Sequence, residues 1–271
     1  MDGPELLPAP VARRATEMLP PADATHWCAT APRRLAAASD RWQVQLVRPV
    51  LTGRGGLLWY GTQHGTPVAM KLPLWEPGLH VHAQRLLAAT SLGPDVLASS
   101  LSDGVLLLRW VDAEPLRWTD SGSPHQDRVA AALDRLRQNR TACTLPSLAA
   151  WLDARLARVS RDLSPRWPAV PRQRRDRARV LLDELGDDTG FVHGDLTPGN
   201  VLVDRHGNIT LIDARGVAGD PTYDLVVFVA ATHRGLTDKQ LAAQVRDASS
   251  RAGHDPDRAA AWLEVLACAR A

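Results

Sequence analysis

Residues 191–224 read Phe-Val-His-Gly-Asp-Leu-Thr-Pro-Gly-Asn-Val-Leu-Val-Asp-Arg-His-Gly-Asn-Ile-Thr-Leu-Ile-Asp-Ala-Arg-Gly-Val-Ala-Gly-Asp-Pro-Thr-Tyr-Asp. His193, Gly194 and Asp195 stand ahead of a Pro-Gly turn that ends in Asn200. Val201–Val203 predicts a short strand, Asp204–Asn208 a turn, and Ile209–Ile212 a second strand that delivers Asp213. The pattern is a β-hairpin with an acid and an amide before it and another acid after it. Its ladder would bring Asn200 and Asp213 side by side.

The chemistry of that set is specific. A carboxylate that takes a proton, beside an amide oxygen and a second carboxylate suited to Mg²⁺, is what phosphoryl transfer from ATP to a hydroxyl requires. His193-Gly194-Asp195-Leu196 followed by Asn200 resembles the catalytic loop of the protein-kinase-like superfamily in its small-molecule kinase form. Leu211-Ile212-Asp213 resembles the metal-binding aspartate that follows it, and Gly219-Asp220-Pro221-Thr222-Tyr223-Asp224 is similar to the next motif of aminoglycoside phosphotransferases. Within that family the chain looks most like the aminoglycoside/hydroxyurea antibiotic-resistance kinases of the streptomycin 6-phosphotransferase branch. The likeness rests on Asp40-Arg41-Trp42, on Gly65-Thr66-Pro67-Val68-Ala69-Met70-Lys71, on the spacing from Ile212-Asp213 to Gly219-Asp220-Pro221, and on Arg258-Ala259-Ala260-Ala261-Trp262.

Upstream, the hydrophobic period changes twice. Residues 1–40 predict helix in pieces, with Val11–Leu19 the clearest and Pro20-Pro21 ending it, as a cap on the sheet that follows. Residues 42–50, 57–61 and 67–72 predict an antiparallel meander whose first turn is Thr52-Gly53-Arg54-Gly55-Gly56. A helix over 79–90 and strands over 95–99 and 105–110 follow. Strand, strand, strand, helix, strand, strand is the order of a kinase N-terminal lobe. From Gln126 the helical period dominates, with helices predicted over 126–139, 146–160, 172–186, 223–232, 237–252 and 255–270, Thr237 and Asp255 serving as N-caps. The expected fold is α+β and bilobal, protein-kinase-like. An N-terminal lobe over 1–111 carries the antiparallel sheet, and a mainly helical C-terminal lobe covers 112–271.

The resemblance implies a role for each motif residue. Asp195 would orient the acceptor hydroxyl and take its proton, and Asn200 and Asp213 would hold Mg²⁺. Lys71, on the third strand, would meet the α- and β-phosphates of ATP as a compact point charge. In a chain whose lysines are Lys71 and Lys239, its position is informative. Gly53, Gly55 and Gly56 would let backbone approach the phosphates, with Arg54 touching one of them, and the backbone of Arg109, Trp110 and Val111 would lie against the purine edge. His193 would pack behind the loop, and Asp220 and Asp224 would brace it. Two departures stand out: Ala214-Arg215 follows Asp213, and the helix over 79–90 contains no acid to hold Lys71, so that His82 falls where a Glu is expected and Glu76 lies just ahead.

Composition narrows the partners. The 271 residues carry a net charge of +2, with hydrophobic residues at 45% and charged residues at 23%, as in a globular protein without a general attraction to nucleic acid or membrane. The basic run Arg172–Arg179 lacks interleaved aromatics and reads as a solvated helix face. Cys28, Cys143 and Cys268 form no CxxC and fit a reducing, cytoplasmic setting; the N-terminus has no signal-peptide pattern. The expected activity is ATP- and Mg²⁺-dependent phosphorylation of a hydroxyl on a small, cationic natural product, an antibiotic of the aminoglycoside type, by a monomer or weak dimer. Asp112, Glu114, Asp120, Asp255, Asp257 and Glu264 are the acids expected to meet such a cation. A tuberactinomycin-type peptide or a biosynthetic metabolite would fit the same chemistry, and a non-catalytic nucleotide-binding pseudokinase would fit the same motifs.

Overall fold

The computed structural model describes residues 6–51, 55–74, 76–116, 126–138, 145–159, 170–186, 190–233 and 235–269. The chain divides into two compact units, Met1–Asp112 and Ala113–Ala271.

The first unit opens with α1 (Ala9–Met18) and α2 (Pro21–Arg41). The Pro20-Pro21 pair ends one helix and starts the next, because proline fits the first helical turn, where its missing N–H has no partner to lose. Strands β1 (Val44–Pro49), β2 (Gly56–Gln63) and β3 (Thr66–Pro73) form the meander, α3 (Pro77–Ala89) follows, and β4 (Val96–Ser100) and β5 (Val105–Arg109) complete an antiparallel sheet of order β1-β2-β3-β5-β4.

Alternation along β3 sorts its side chains between two layers. Val68, Met70 and Leu72 join Leu57, Trp59 and Leu107 against Val11, Ala15, Trp27, Ala31 and Leu35 of α1 and α2. Ala69 faces the other way with Leu106, Leu108 and Leu58, and Val81 of α3 covers them. Lys71 pairs across the ladder with Leu58 and Leu106, so it stands on the α3 side of the sheet. Indole N–H groups tie the layers: Trp27 donates to the Pro73 carbonyl at 3.0 Å, and Trp59 donates to that of Leu6 at 3.2 Å.

The second unit holds the short strand β6 (Glu114–Pro115), helices α4 (Gln126–Gln138), α5 (Leu148–Val159) and α6 (Arg172–Leu185), then β7 (Gly190–Val192), β8 (Val201–Val203), β9 (Ile209–Leu211) and β10 (Val217–Gly219), and finally α7 (Thr222–Thr232), α8 (Asp238–Arg251) and α9 (Pro256–Ala269). β8 and β9 are the predicted hairpin, and β6 pairs on its outer edge. β7 pairs antiparallel with β10, a contact that the sequence pattern does not announce. Helix α7 is buried almost all round, Thr222 through Val229, so it forms the axis of this unit. Thr237 caps α8 in a full capping box with Gln240, and the Asp255 carboxylate accepts from the Asp257 N–H at the start of α9. The basic run lies on α6 in surface pairs: Arg172 with Asp176, Arg177 with Glu264 and Arg179 with Asp153. Among the described residues no helix is long and apolar enough to cross a membrane.

Candidate active site

The site begins with a sharp reversal after β7. Gly194 sits at φ +81°, in the left-handed region that glycine enters without strain. A Cβ there would also lie 3.0 Å from that of Arg215. The turn is held from inside by Asp224, on the first turn of α7. Its carboxylate, fully buried, accepts from the N–H of His193 at 2.7 Å and from that of Gly194 at 2.9 Å. Burial pushes its pKa up to about 7, against the opposing pull of these two N–H groups.

His193 is wholly buried. Its Nδ1 accepts weakly from the Asp195 N–H at 3.4 Å, and its Nε2 lies 2.9 Å from the Ile212 carbonyl oxygen. A carbonyl only accepts, so the arrangement assigns the proton to Nε2. Both ring nitrogens face protein groups, which gives His193 a structural part: it joins the loop before β8 to the end of β9.

Asn200 closes the set. Its Nδ2 donates to the backbone carbonyl of Asp195 at 2.7 Å, and its own carbonyl accepts from the Ile212 N–H at 2.9 Å. With the amide nitrogen so engaged, the amide oxygen is the acceptor end of the side chain. Asp213 follows directly, at φ +66°. A non-glycine residue in that region is uncommon, Asp and Asn being the types that tolerate it best, and such strain collects at functional sites. Asp195, Asn200 and Asp213 are thus gathered on one loop and the adjoining hairpin.

The support extends outward through Asp220. Its carboxylate accepts from the Trp262 indole N–H and from Arg258 Nε, each at 2.5 Å, and from the Thr222 N–H at 2.9 Å. Burial raises its pKa, and these donors more than offset that, leaving it below the ordinary value. Arg258 also donates to the Leu185 carbonyl at 2.7 Å, and the Trp262 ring meets Tyr223 edge-on at 5.5 Å. One acid therefore joins α6, α7 and α9 beneath the loop.

The model of the APH phosphotransferase enzyme family matches residues 79–262, more than half of the chain. The chain belongs to that family. It is an enzyme, a small-molecule phosphotransferase. A search of curated proteins gives no significant match. Among solved structures, the choline kinase LicA from Streptococcus pneumoniae is 15% identical with a TM-score of 0.62, covering 85% of each chain. The aminoglycoside phosphotransferase APH(4)-Ia is 17% identical with a TM-score of 0.61, covering 86% of this chain and 88% of that one. The macrolide 2'-phosphotransferase MphH from Brachybacterium faecium gives 17%, 0.56 and the same coverage. At these identities the likeness is one of fold. LicA has also been crystallised with AMP, and a thermostable mutant of APH(4)-Ia with ADP and hygromycin B.

The family motif and the phosphotransferase fold expected from the sequence are therefore both present. The remaining candidate residues stand in the first unit. The glycine-rich turn falls partly outside the described residues, Gly53 and Arg54 among them. Gly55 accepts from the Leu74 N–H, and a Cβ on Gly56 would run into the Leu72 carbonyl oxygen, so Gly56 is needed for the close approach of β2 to β3. The N–H of Arg109 goes to the Asp95 carbonyl and that of Trp110 to the Pro67 carbonyl, which ties both into the sheet and leaves Val111 as the first residue beyond it. The Trp110 ring meets Tyr60 edge-on at 4.9 Å. Just ahead of α3, Glu76 is exposed and left-handed at φ 45°; on α3 itself His82 is half-buried, and the buried polar side chains are His80 and Gln84. Arg215, noted from sequence only as a departure, donates its N–H to the His193 carbonyl at 2.7 Å and carries its guanidinium 3.6 Å from the Asp195 carboxylate. A basic residue two positions after a metal-type aspartate is the signal that pointed to it.

Proposed function

We propose that the chain transfers the γ-phosphoryl group of ATP to a hydroxyl of a small natural product, with Asp195 as the catalytic residue. The observation that carries this reading is the Asn200 bridge. Its side chain fixes the Asp195 backbone, and its backbone carbonyl accepts from the Ile212 N–H, one residue ahead of Asp213. In the proposed step the acceptor oxygen bonds to the γ-phosphorus as the bond from phosphorus to the β,γ-bridging oxygen breaks. ADP leaves with that electron pair, and the hydroxyl proton passes to the Asp195 carboxylate. In a loose transition state the proton moves late, so positioning dominates over basicity.

The donor set of Asn200 Oδ1 and Asp213 fits Mg²⁺, which takes one or two protein oxygens and completes its shell with phosphates and water. When bound there, the ion would neutralise charge on the phosphate oxygens. We assign nucleotide binding to the first lobe, 1–111, with Lys71 on the α- and β-phosphates, Gly53, Gly55 and Gly56 beneath them, and Arg109, Trp110 and Val111 along the purine, Val111 offering the backbone contact. The second lobe, 112–271, carries catalysis and the acceptor. A streptomycin-type acceptor, with antibiotic resistance as the outcome, rests on the motif resemblance and is one arm of the test.

Mass spectrometry of candidate acceptors after incubation with ATP and Mg²⁺ tests the reading. The expected product carries one added phosphoryl group and forms with ADP. Nucleotide binding with no transfer to any acceptor would instead indicate a pseudokinase. Phosphoester hydrolysis without ATP would indicate a hydrolase.

A further inference from the structure

Helix α2 carries three donors spaced seven residues apart, Trp27, Arg34 and Arg41. Seven residues are nearly two helical turns, so the three stand in a row along the helix. Each reaches a segment that borders the start of α3. Trp27, 5% exposed, donates its indole N–H to the Pro73 carbonyl at the end of β3, at 3.0 Å. Arg34 donates to the Asp103 carbonyl, in the turn between β4 and β5, from Nε at 2.6 Å and from Nη2 as well. Arg41 pairs with the Asp103 carboxylate at 3.1 Å, which also accepts from Ser100 Oγ at 2.7 Å.

The two anchored points govern different neighbours. Gly104, beside Asp103 at φ +62°, lies so close to Pro77, the first residue of α3, that a Cβ on it would run into the proline side chain. Helix α3 has little of its own to fix that end: Glu76 makes no side-chain cap bond, and no acid stands in the first turn. Pro73 bears on the other side. It lies two residues past Lys71 and pairs in register with Gly56, and the next residue, Leu74, donates its N–H to the Gly55 carbonyl at 3.0 Å. Pro73 is buried and has no N–H, so its carbonyl is the group by which it is anchored. The Trp27 indole therefore holds the segment to which both Lys71 and the end of the glycine-rich turn are attached.

We infer that Trp27 is a positioning residue for the nucleotide: through Pro73 it sets Lys71 and the glycine-rich turn where the phosphates meet them, with Arg34 steadying the start of α3. The inference rests on the assignment of the phosphates to Lys71 and that turn. Phenylalanine at 27 keeps apolar bulk in the same core but strands the Pro73 carbonyl. A buried acceptor without a partner is unfavourable, so the end of β3 shifts to satisfy it and carries the phosphate-binding groups with it. Coupling of this kind is reciprocal, so nucleotide bound at Lys71 steadies α2 in return.

The probe is ADP with Mg²⁺, its binding measured by calorimetry on the full chain. Trp27→Phe should weaken ADP about tenfold and Arg34→Gln about threefold. Leu35→Ala, on the same helix and wholly buried in the same core, is the control for stability alone. It should lower the melting temperature at least as far as Trp27→Phe and keep ADP affinity within about twofold of wild type. Hydrogen exchange reads the reverse direction: ADP should slow exchange of the amides of 21–41 in wild type and not in Trp27→Phe. If Trp27→Phe does not fold, Arg34→Gln takes its place in both measurements. Unchanged ADP affinity in the variant, an equal loss in Leu35→Ala, or exchange over 21–41 that ignores ADP in wild type overturns the inference. Lys71→Met separates this from the functional reading. ADP weakened by Lys71→Met but not by Trp27→Phe removes the role of Trp27 alone. ADP that wild type does not bind, or that Lys71→Met binds as tightly as wild type, removes the nucleotide assignment and the inference with it.

Discussion

The sheet of the first unit and the catalytic layer of the second are held by opposite means. The sheet has strands of up to eight residues and buries Trp59, Met70, Leu72 and Leu107 against two helices. Around the site, strands β7 to β10 are three residues each, too short for their ladders alone to fix geometry. Their place is fixed by polar side chains, three of them buried and Asn200 half-buried: Asp224 on the loop amides, His193 on Ile212, Asn200 on Asp195 and Asp220 on Arg258 and Trp262. Apolar burial is non-directional and tolerates small shifts. Hydrogen bonds to a charged group are directional and strong in a dry interior, which is what a site that must hold atoms in line requires.

That contrast is breakable by substitution. The largest effect on activity belongs to Asp195→Asn, which should lower kcat by about 10²–10⁴ while moving the melting temperature little, since Asp195 is partly exposed. A mutant with near-normal kcat would contradict its role. Asp224→Ala should damage both properties at once. Leaving two buried N–H groups without their acceptor costs about 3 kcal/mol or more in denaturant titration, and kcat should fall with it as the loop loosens. Leu107→Ala, in the sheet core, should cost a similar 2–5 kcal/mol yet leave kcat unchanged well below its melting temperature. If it lowered kcat as Asp224→Ala does, the division between the two kinds of support would be wrong.

A smaller, pH-dependent signature belongs to Asp224. Its folded pKa, near 7, lies above the ordinary value of 3.8, so the folded state binds the proton more tightly. Its contribution to stability is then fully present below about pH 4 and is lost as pH rises through 7, at no more than ~1.4 kcal/mol per pH unit. Melting of wild type and Asp224→Asn across pH 5–8 should show wild type losing ground to the mutant as pH rises; parallel curves would contradict the shift. Smallest is Thr237→Ala, which removes the α8 capping box for about 1 kcal/mol with no change in turnover.

The same contrast explains what was legible in the sequence. Alternation in Val68-Ala69-Met70-Lys71-Leu72 and helical spacing in α1 to α3 stand in the residues themselves, because apolar burial imposes a period. The hairpin and the α8 cap were equally readable, from Pro-Gly, His-Gly-Asn and Thr-x-x-Gln. The pairing of β7 with β10 was not, since three-residue strands carry no period. The join made by Asp220 was legible only as a motif, because Arg258 and Trp262 approach it from 38 and 42 residues away. The stacking of Arg155 on Trp151 left no mark, for a cation and an indole four apart are ordinary on any surface helix.

The central claim is transfer to a hydroxyl under the direction of Asp195. Its most direct measurement follows the γ-phosphoryl group of labelled ATP in the presence of Mg²⁺ and an acceptor, comparing wild type with Asp195→Ala. The label should appear in a phosphorylated acceptor, matched by ADP, with wild type only. Labelled product forming at the same rate with Asp195→Ala, or label released only as inorganic phosphate by wild type, would contradict it.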